Sequence, residues 1–251
     1  MECKKQLKSI AKKIRGDVRQ LIIIIIGVCV SLIGTLIITD LYTERSNNKT
    51  KKNIIEGLQE SLRADTIHIN DRLASIDTLK WSIDSILALD ILSISELSDE
   101  CINRLVHNAS HGLSFSPNIS TFETYKYTGE LKLLKSSKSD SLLKTIFSLY
   151  DIRYKRIFDI VKLDHGIIEK IDDFLIDHAQ YIEESKFSYS IKANKNTLVD
   201  LLKEEKYKQL LNMNRVVLGL LKDAFEKAKK GDEQNKTSII VLLDMLDKEL
   251  N

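Results

Sequence analysis

Three features predict an all-α protein: one N-terminal transmembrane helix followed by a helical bundle with long coiled-coil-like helices. The first is Leu21 to Ile38, LIIIIIGVCVSLIGTLII, eighteen residues without a charge. The second is a recurrence of Ile and Leu every seven residues from Ile55 onward. The third is a scarcity of breakers. The 251 residues include one proline and nine glycines, against average usage of about 5% and 7%. No stretch sustains period-two alternation, so no sheet is expected.

Four segments follow from this pattern. Residues 1–20 form a basic arm, 21–39 the transmembrane helix, 40–92 a neck and long heptad-patterned helix, and 93–251 the remaining extracytoplasmic bundle. The arm carries seven Lys and Arg against Glu2 and Asp17, a balance of +5. With a total of +2, the rest of the chain carries −3. Basic residues beside a first span stay on the cytoplasmic side, which puts the N-terminus in and the C-terminal domain out, at an inner membrane. A mildly acidic body argues against a nucleic-acid partner. The span covers roughly 27 Å as a helix, close to a bilayer's hydrocarbon thickness. It is longer than a signal-peptide core and no Ala-x-Ala site follows it, so an uncleaved signal-anchor is expected. Cys29 after Ile26-Gly27-Val28 only loosely resembles a lipoprotein cleavage site. The three cysteines, Cys3, Cys29 and Cys101, fall in different compartments, so no intrachain disulfide is expected. Cys101 is read as a small buried hydrophobe rather than an intersubunit bridge.

Within the span, Gly27, Ser31, Gly34 and Thr35 share one face. Such a small-residue stripe lets two membrane helices approach closely, so a homo-oligomer through span and neck is one expectation. The neck runs from Asp40 to Asn53, with Ser46-Asn47-Asn48 as its weakest helical point. The heptad seam then comprises Ile55, Leu62, Ile69, Ile76 and Ile83, with Leu58, Leu79 and Ile86 three residues after the first, fourth and fifth. It fits an intermolecular coiled coil or the core stripe of one bundle helix. Asp65 and Arg72 interrupt the second row and favour the bundle. Trp81, one helical step away, reads as packing.

Ser93 to Glu96 reads as the start of a second helix, with Leu97, Cys101, Leu105 and Ala109 on one face. Ser110 to Pro117 is a loop. Ser120 and Glu123 form a capping box for a short helix, Thr121 to Thr128, closed by Gly129; Ser137 and Asp140 form a second capping pair. A long helix is expected from Lys138 to about Glu184, with Ile146, Tyr150, Ile157, Ile160, Ile168, Ile171, Phe174 and Leu175 as its stripe. Gly166 is its expected bend. Ser185 to Asn196 is read as a polar connector. Another helical pattern runs from Leu198 to Ala228 and stops at Gly231. Ile239 to Leu250 makes a last short helix.

Several passages together resemble a family of uncharacterised single-span helical proteins of Bacteroidetes. They are the basic N-terminus, Leu36-x-Ile38 at the end of the span, and Glu44-Arg45 beyond it. Further on, Tyr125 precedes Thr128-Gly129-Glu130-Leu131-Lys132-Leu133-Leu134, which leads through Leu142-Leu143 to Tyr150. The resemblance covers roughly residues 10–150. It implies an inner-membrane anchor with a periplasmic helical domain, and carries no activity. Family members often have an intramembrane glutamate and an Asn-rich, Trp-containing segment; this chain has Thr39-Asp40-Leu41-Tyr42 there. The same lineage implies O-glycan acceptors at Asp65-Thr66-Ile67, Asp77-Thr78-Leu79, Asp84-Ser85-Ile86 and Asp140-Ser141-Leu142.

Phosphate-loop, dinucleotide, zincin and Cys-x-x-Cys patterns do not occur, nor does the Glu-x-x-His of di-iron bundles, so neither cofactor, metal nor enzyme activity is expected. His107 and His111 are spaced for a shared helix face, but Gly112 and Pro117 end that helix. The run His165, Glu169, Asp172, Asp173, Asp177, His178 reads as a solvated face. The functional expectation is an interaction protein, a scaffold or accessory subunit of an envelope complex. Its partners are the lipid bilayer and an unidentified membrane or envelope protein. The alternative is a ligand-sensing bundle acting through a partner, since the arm has no room for an output domain.

Overall fold

The computed structural model describes residues 2–135, 140–178, 180–185 and 188–250, with side chains for 25–135, 141–178 and 192–250. The chain divides into two compact units, Met1–Asn53 and Ile54–Asn251. Helix α1, Glu2–Ala88, contributes residues to both.

In the first unit, the helix is long and apolar enough to cross a membrane. Ile25, Val30, Leu32, Leu36 and Ile38 are 52–69% exposed. Neighbouring positions Leu36, Ile37 and Ile38 are exposed alike, so no face of the span is covered. The expected weak point at Ser46-Asn47-Asn48 does not break the helix. Their helix propensities lie only about half a kcal/mol below the best formers, too little to interrupt an established hydrogen-bond ladder.

The second unit is an all-α bundle with one hairpin. After α1 come α2 (Ile91–Glu96), α3 (Asp99–Ala109), α4 (Ser120–Tyr127) and a 3-10 turn (Glu130–Leu134). Then α5 (Asp140–Phe147) runs through a π-helical segment (Ser148–Tyr154) into α6 (Lys155–His178). Strands β1 (Gln180–Ser185) and β2 (Ser188–Lys192) precede α7 (Lys195–Lys203), α8 (Glu205–Lys230) and α9 (Ile239–Leu250).

The heptad seam is buried inside its own chain. Ile55, Leu58, Leu62, Ile69, Ile76, Leu79, Ile83 and Ile86 are all between 0 and 5% exposed. Beside the seam, α8 runs antiparallel to α1 in a fixed register. Arg215 Nη1 lies 3.3 Å from Asp84 Oδ1, Lys222 Nζ 2.7 Å from Asp77 Oδ1, and Lys229 Nζ donates to Asn70 Oδ1 at 2.6 Å. Each step moves seven residues down α1 and seven up α8. These pairs are exposed and contribute about 0–1 kcal/mol each, so they fix register more than stability. Helix α4 docks where α1 is smallest. A Cβ on Gly57 would stand 3.1 Å from Thr121 Cγ2, and Ser61 Oγ lies 3.1 Å from Thr121 Oγ1. Gln59 Nε2 donates to Asp247 Oδ1 at 2.6 Å, tying α9 to the same end.

Several boundaries differ from expectation. Ser93 to Glu96 lies inside α2, whose cap is Asp90; Ser98 starts the next helix, accepting from Cys101 N. Its buried face is Ile102, Leu105, Val106 and Ala109, with Leu97 and Cys101 half-buried. The Ser120–Glu123 box does not form, because the Ser120 hydroxyl bonds Asn118 Oδ1 and the cap position is Ile119. Gly129, at φ 71°, does end that region in the left-handed conformation. The Ser137–Asp140 pair lies outside the described residues. The long helix passes Gly166 unbroken; its irregularity is the π segment. It stops at His178, and 180–185 and 188–192 pair as antiparallel strands in place of a helix end and connector. Tyr181 pairs with Ile191, and Glu183 with Tyr189; the two tyrosines and the isoleucine are of strong strand preference. The pattern from Leu198 to Ala228 divides at Glu204, where extended backbone separates α7 from α8.

Ile76→Ala will lower unfolding free energy by about 2–5 kcal/mol, the cost of a core cavity. Because the seam is intramolecular, denaturant titrations followed by far-UV circular dichroism will give the same loss at every protein concentration.

Candidate functional site

Two regions carry chemistry that the fold does not need for regular structure. One is the exposed span. Gly27, Ser31 and Thr35 are exposed and Gly34 nearly so. A Cβ built on Gly27 or Gly34 meets nothing within 4 Å. The Thr35 hydroxyl donates to the Ser31 carbonyl at 2.8 Å, satisfying itself along the helix. The stripe is thus open to a neighbour, and nothing among the described residues occupies it.

The other is a set of four buried polar side chains on the apolar stripes of the three long helical runs, two of them on the run that contains the π segment and α6. Asp65 sits between Leu62 and Ile69, and Arg153 between Tyr150 and Ile157. Asp164 sits between Val161 and Ile168, and Asn214 between Leu211 and Leu218. They are 1, 7, 0 and 1% exposed. An unpartnered polar group there costs roughly 1–3 kcal/mol, so each position needs a reason.

For Asp65, Arg153 and Asp164 that reason is loop residues outside the helices, and for Asn214 it is the C-terminal end of α3. Residues 111–119 carry no regular structure, yet Leu113, Phe115 and Pro117 are buried. Phe115 packs edge-on to Tyr154 and Phe225, with ring centroids 5.6 and 5.1 Å apart. A strap threaded through a core brings amides that no ladder satisfies. Asn118 N donates to Asp65 Oδ1 at 2.7 Å, and Leu113 N to Asp164 Oδ2 at 2.8 Å. His165 Nε2 donates to the Leu113 carbonyl at 2.8 Å, and Asn214 Nδ2 to the Ala109 carbonyl at 3.2 Å. Tyr154 donates its hydroxyl to Asp65 Oδ2 at 2.6 Å. Arg153 does the same work for a second loop. Its Nη1 meets Asp232 Oδ2 at 2.9 Å and its Nη2 donates to the Asn235 carbonyl at 2.7 Å. Asp232 then accepts from Asn235 N at 2.6 Å.

Burial pushes the Asp65 carboxyl above its ordinary 3.8, opposed by hydrogen bonds from Tyr154 and Asn118 N and by His68. Burial also raises Asp164, opposed by Leu113 N, His165 and His111. Asp164 Oδ1 has no hydrogen-bond partner among the described residues, so the site suits a neutral carboxyl better than an anion. The hydrogen bond from Arg153 holds Asp232 below the usual range. Asp65 and Asp164 are enclosed and face loop backbone rather than a cleft, so their role is to clamp. The run His165 to His178 is therefore not wholly a solvated face. His165 clamps the strap, and His178 stacks on Phe174 at 4.5 Å. His107 and His111 stand with rings 5.8 Å apart on the surface. Among the described residues no group of three or more His, Cys, Asp or Glu is arranged to hold a metal.

Asp65→Ala strands Asn118 N and the Tyr154 hydroxyl and will cost about 2–4 kcal/mol, while Tyr154→Phe will cost about 1–2. The double variant will lose less than the sum, a coupling read from a double-mutant cycle by urea unfolding. Asp164 carries a pH signature. A raised folded-state value means the folded chain holds the proton more tightly than the unfolded one. Its contribution is then fully present below 3.8 and is lost as pH rises through the raised value. The stability of the wild type relative to Asp164→Asn will therefore increase as pH is lowered toward 3.8. A flat difference across the acidic range would contradict this assignment.

Comparison of the chain with protein-family models, curated proteins and solved structures gives no match.

Proposed function

We propose that the chain is a single-pass inner-membrane protein. Its helical unit serves as a periplasmic interaction domain, a scaffold or accessory subunit of an envelope complex. The observation that carries this reading is the uncovered span. Nine large aliphatic side chains between Ile25 and Ile38 are more than half exposed. Leaving each in water forfeits roughly 1.5–3 kcal/mol, a total on the order of 14–27 kcal/mol. That exceeds the typical net stability of a domain, about 5–15 kcal/mol. A bilayer removes the cost, and the basic arm 1–20 orients the helix with its N-terminus inside.

The interaction role is supported by the second unit. Its buried Asp65, Arg153 and Asp164 are engaged with loop residues. Its surface leaves Met213, Val216 and Leu220 exposed along one face of α8, at the i, i+3, i+7 spacing of a helix-docking stripe. The ligand-sensing alternative rests on a different observation, an open apolar groove of about 560 Å³ lined by residues of α1, α2, α7 and α8.

In-cell crosslinking, purification on a C-terminal tag and mass spectrometry test both halves. Membranes washed in carbonate should retain the protein. The same envelope protein should crosslink through α8 in independent preparations and be lost in Val216→Asp. Release by carbonate would overturn the anchor, and a monomer without copurifying protein would overturn the scaffold.

A further inference from the structure

We propose that the groove beside the C-terminal end of α1 binds a single-chain amphiphile, a fatty-acyl chain carrying an anionic head. The proposal supplies a ligand class for the sensing alternative. It rests on that alternative only for what binding would signal. All the groove's walls belong to the unit Ile54–Asn251.

Leu87, Leu89 and Ile94 form one wall, and Val199 and Leu202 of α7 the other. The floor is apolar, and its volume of about 560 Å³ lies within the range of small-molecule sites. A docked helix needs more surface: a standard interface buries about 800 Å² on each partner. Ile91 and Leu92 also line the groove, and they are 66 and 79% exposed, the second among the most exposed aliphatic side chains described. They sit on α2, a six-residue helix whose Ser95 carbonyl accepts from Lys195 Nζ at 2.7 Å. An acyl chain in the groove would give both aliphatic side chains an apolar neighbour.

The charged groups indicate the head. Lys203 and Lys208 are the cations on the lining, and Asp90 is its carboxylate. Asp90 is committed elsewhere. It caps α2, accepting from Ser93 N at 2.7 Å, and that hydrogen bond holds it below the usual carboxylate range. Lys203 is paired with Asp200 at 2.9 Å. The Lys208 ammonium makes no ion pair or hydrogen bond with any described residue, which leaves it as the cation available to an anion. An apolar trough with an uncommitted ammonium at its edge matches a carboxylate or phosphate joined to a hydrocarbon chain. It does not match a polar metabolite, which would leave the floor uncovered.

The test uses the full chain in phosphatidylcholine nanodiscs, labelled with a diazirine-bearing palmitic acid or its methyl ester and mapped by peptide mass spectrometry. Palmitic acid should label peptides covering 87–94 and 199–208 as well as the span. Lys208→Glu should reduce groove labelling by the acid about fivefold and leave the ester's unchanged, because only a head-group charge has been reversed. Leu202→Asp should abolish groove labelling by both probes while labelling of the span persists. If Leu202→Asp fails to fold, the Lys208→Glu comparison decides alone, since that side chain is only half-buried. Labelling confined to the span, or groove labelling that Lys208→Glu does not change, would overturn the proposal. So would groove crosslinks to a second protein chain in place of the probe. Groove labelling without span labelling would support the site and count against the membrane anchor.

Discussion

The bundle depends on satisfying backbone that is not helical. A strap of nine residues, 111–119, passes through the core, and its amides and carbonyls have no ladder. Asp65 from α1 and Asp164 and His165 from α6 reach the strap, and Asn214 from α8 reaches the Ala109 carbonyl at the end of α3, two residues ahead of it. Three separate helical runs are thereby joined through one segment. The aromatic side chains follow: Phe115 enters between Tyr154, Phe158 and Phe225. Apolar burial supplies the driving force here. The hydrogen bonds decide that this one path of the strap is allowed, because any other leaves a carboxylate or an amide buried alone.

The antiparallel register of α1 and α8 sits on top of that arrangement. Both helices keep a seven-residue period, so Asp84, Asp77 and Asn70 meet Arg215, Lys222 and Lys229 in sequence. A slip of one residue would misalign all three pairs and the seam together. The surface pairs are weak one by one, but they discriminate between registers that apolar packing alone would leave closer in energy. The small patch at Gly57 and Ser61 adds a second marker, since α4 comes within contact only where α1 lacks bulk.

Much of this was legible as pattern. The heptad row read from Ile55 to Ile86 is the core face of α1, and Asp65 announced itself as an interruption of it. What the interruption does was not legible, because its partners Asn118 and Tyr154 lie 53 and 89 residues away in sequence. Asp164, Arg153 and Asn214 went unremarked, although each occupies a stripe position by spacing. A polar residue at an apolar-stripe position, on several helices of one chain, is the available signal. The hairpin was missed for a different reason. Its strands are short, and Gln180–Ser185 mixes strand formers with Glu and Ser, so period-two alternation never accumulates. The division at Glu204 does leave a mark in the spacing: Leu202 to Tyr207 is a step of five, which turns the apolar stripe of α8 away from that of α7.

The same aliphatic residues have opposite environments in the two units, and that contrast carries functional weight. Ile55, Ile69 and Ile83 are fully or almost fully buried, whereas Ile25, Ile33 and Ile38 are more than half exposed, within one uninterrupted helix. Helix propensity does not distinguish them; the distribution of polar neighbours does. Along the seam, polar residues occupy most outward positions, with Ile67 and Trp81 as exposed exceptions, the latter not the packing residue its spacing predicted, so water and core largely divide the helix between them. In the span no outward position is polar enough to face water. The helix there is apolar on every side, which supports the proposal that a bilayer surrounds it. A second helix laid on the Gly27–Gly34 face would cover one side only. A lipid surface covers all of them, so the circumferential pattern favours a bilayer over helix pairing as the primary partner, with pairing a further step inside it.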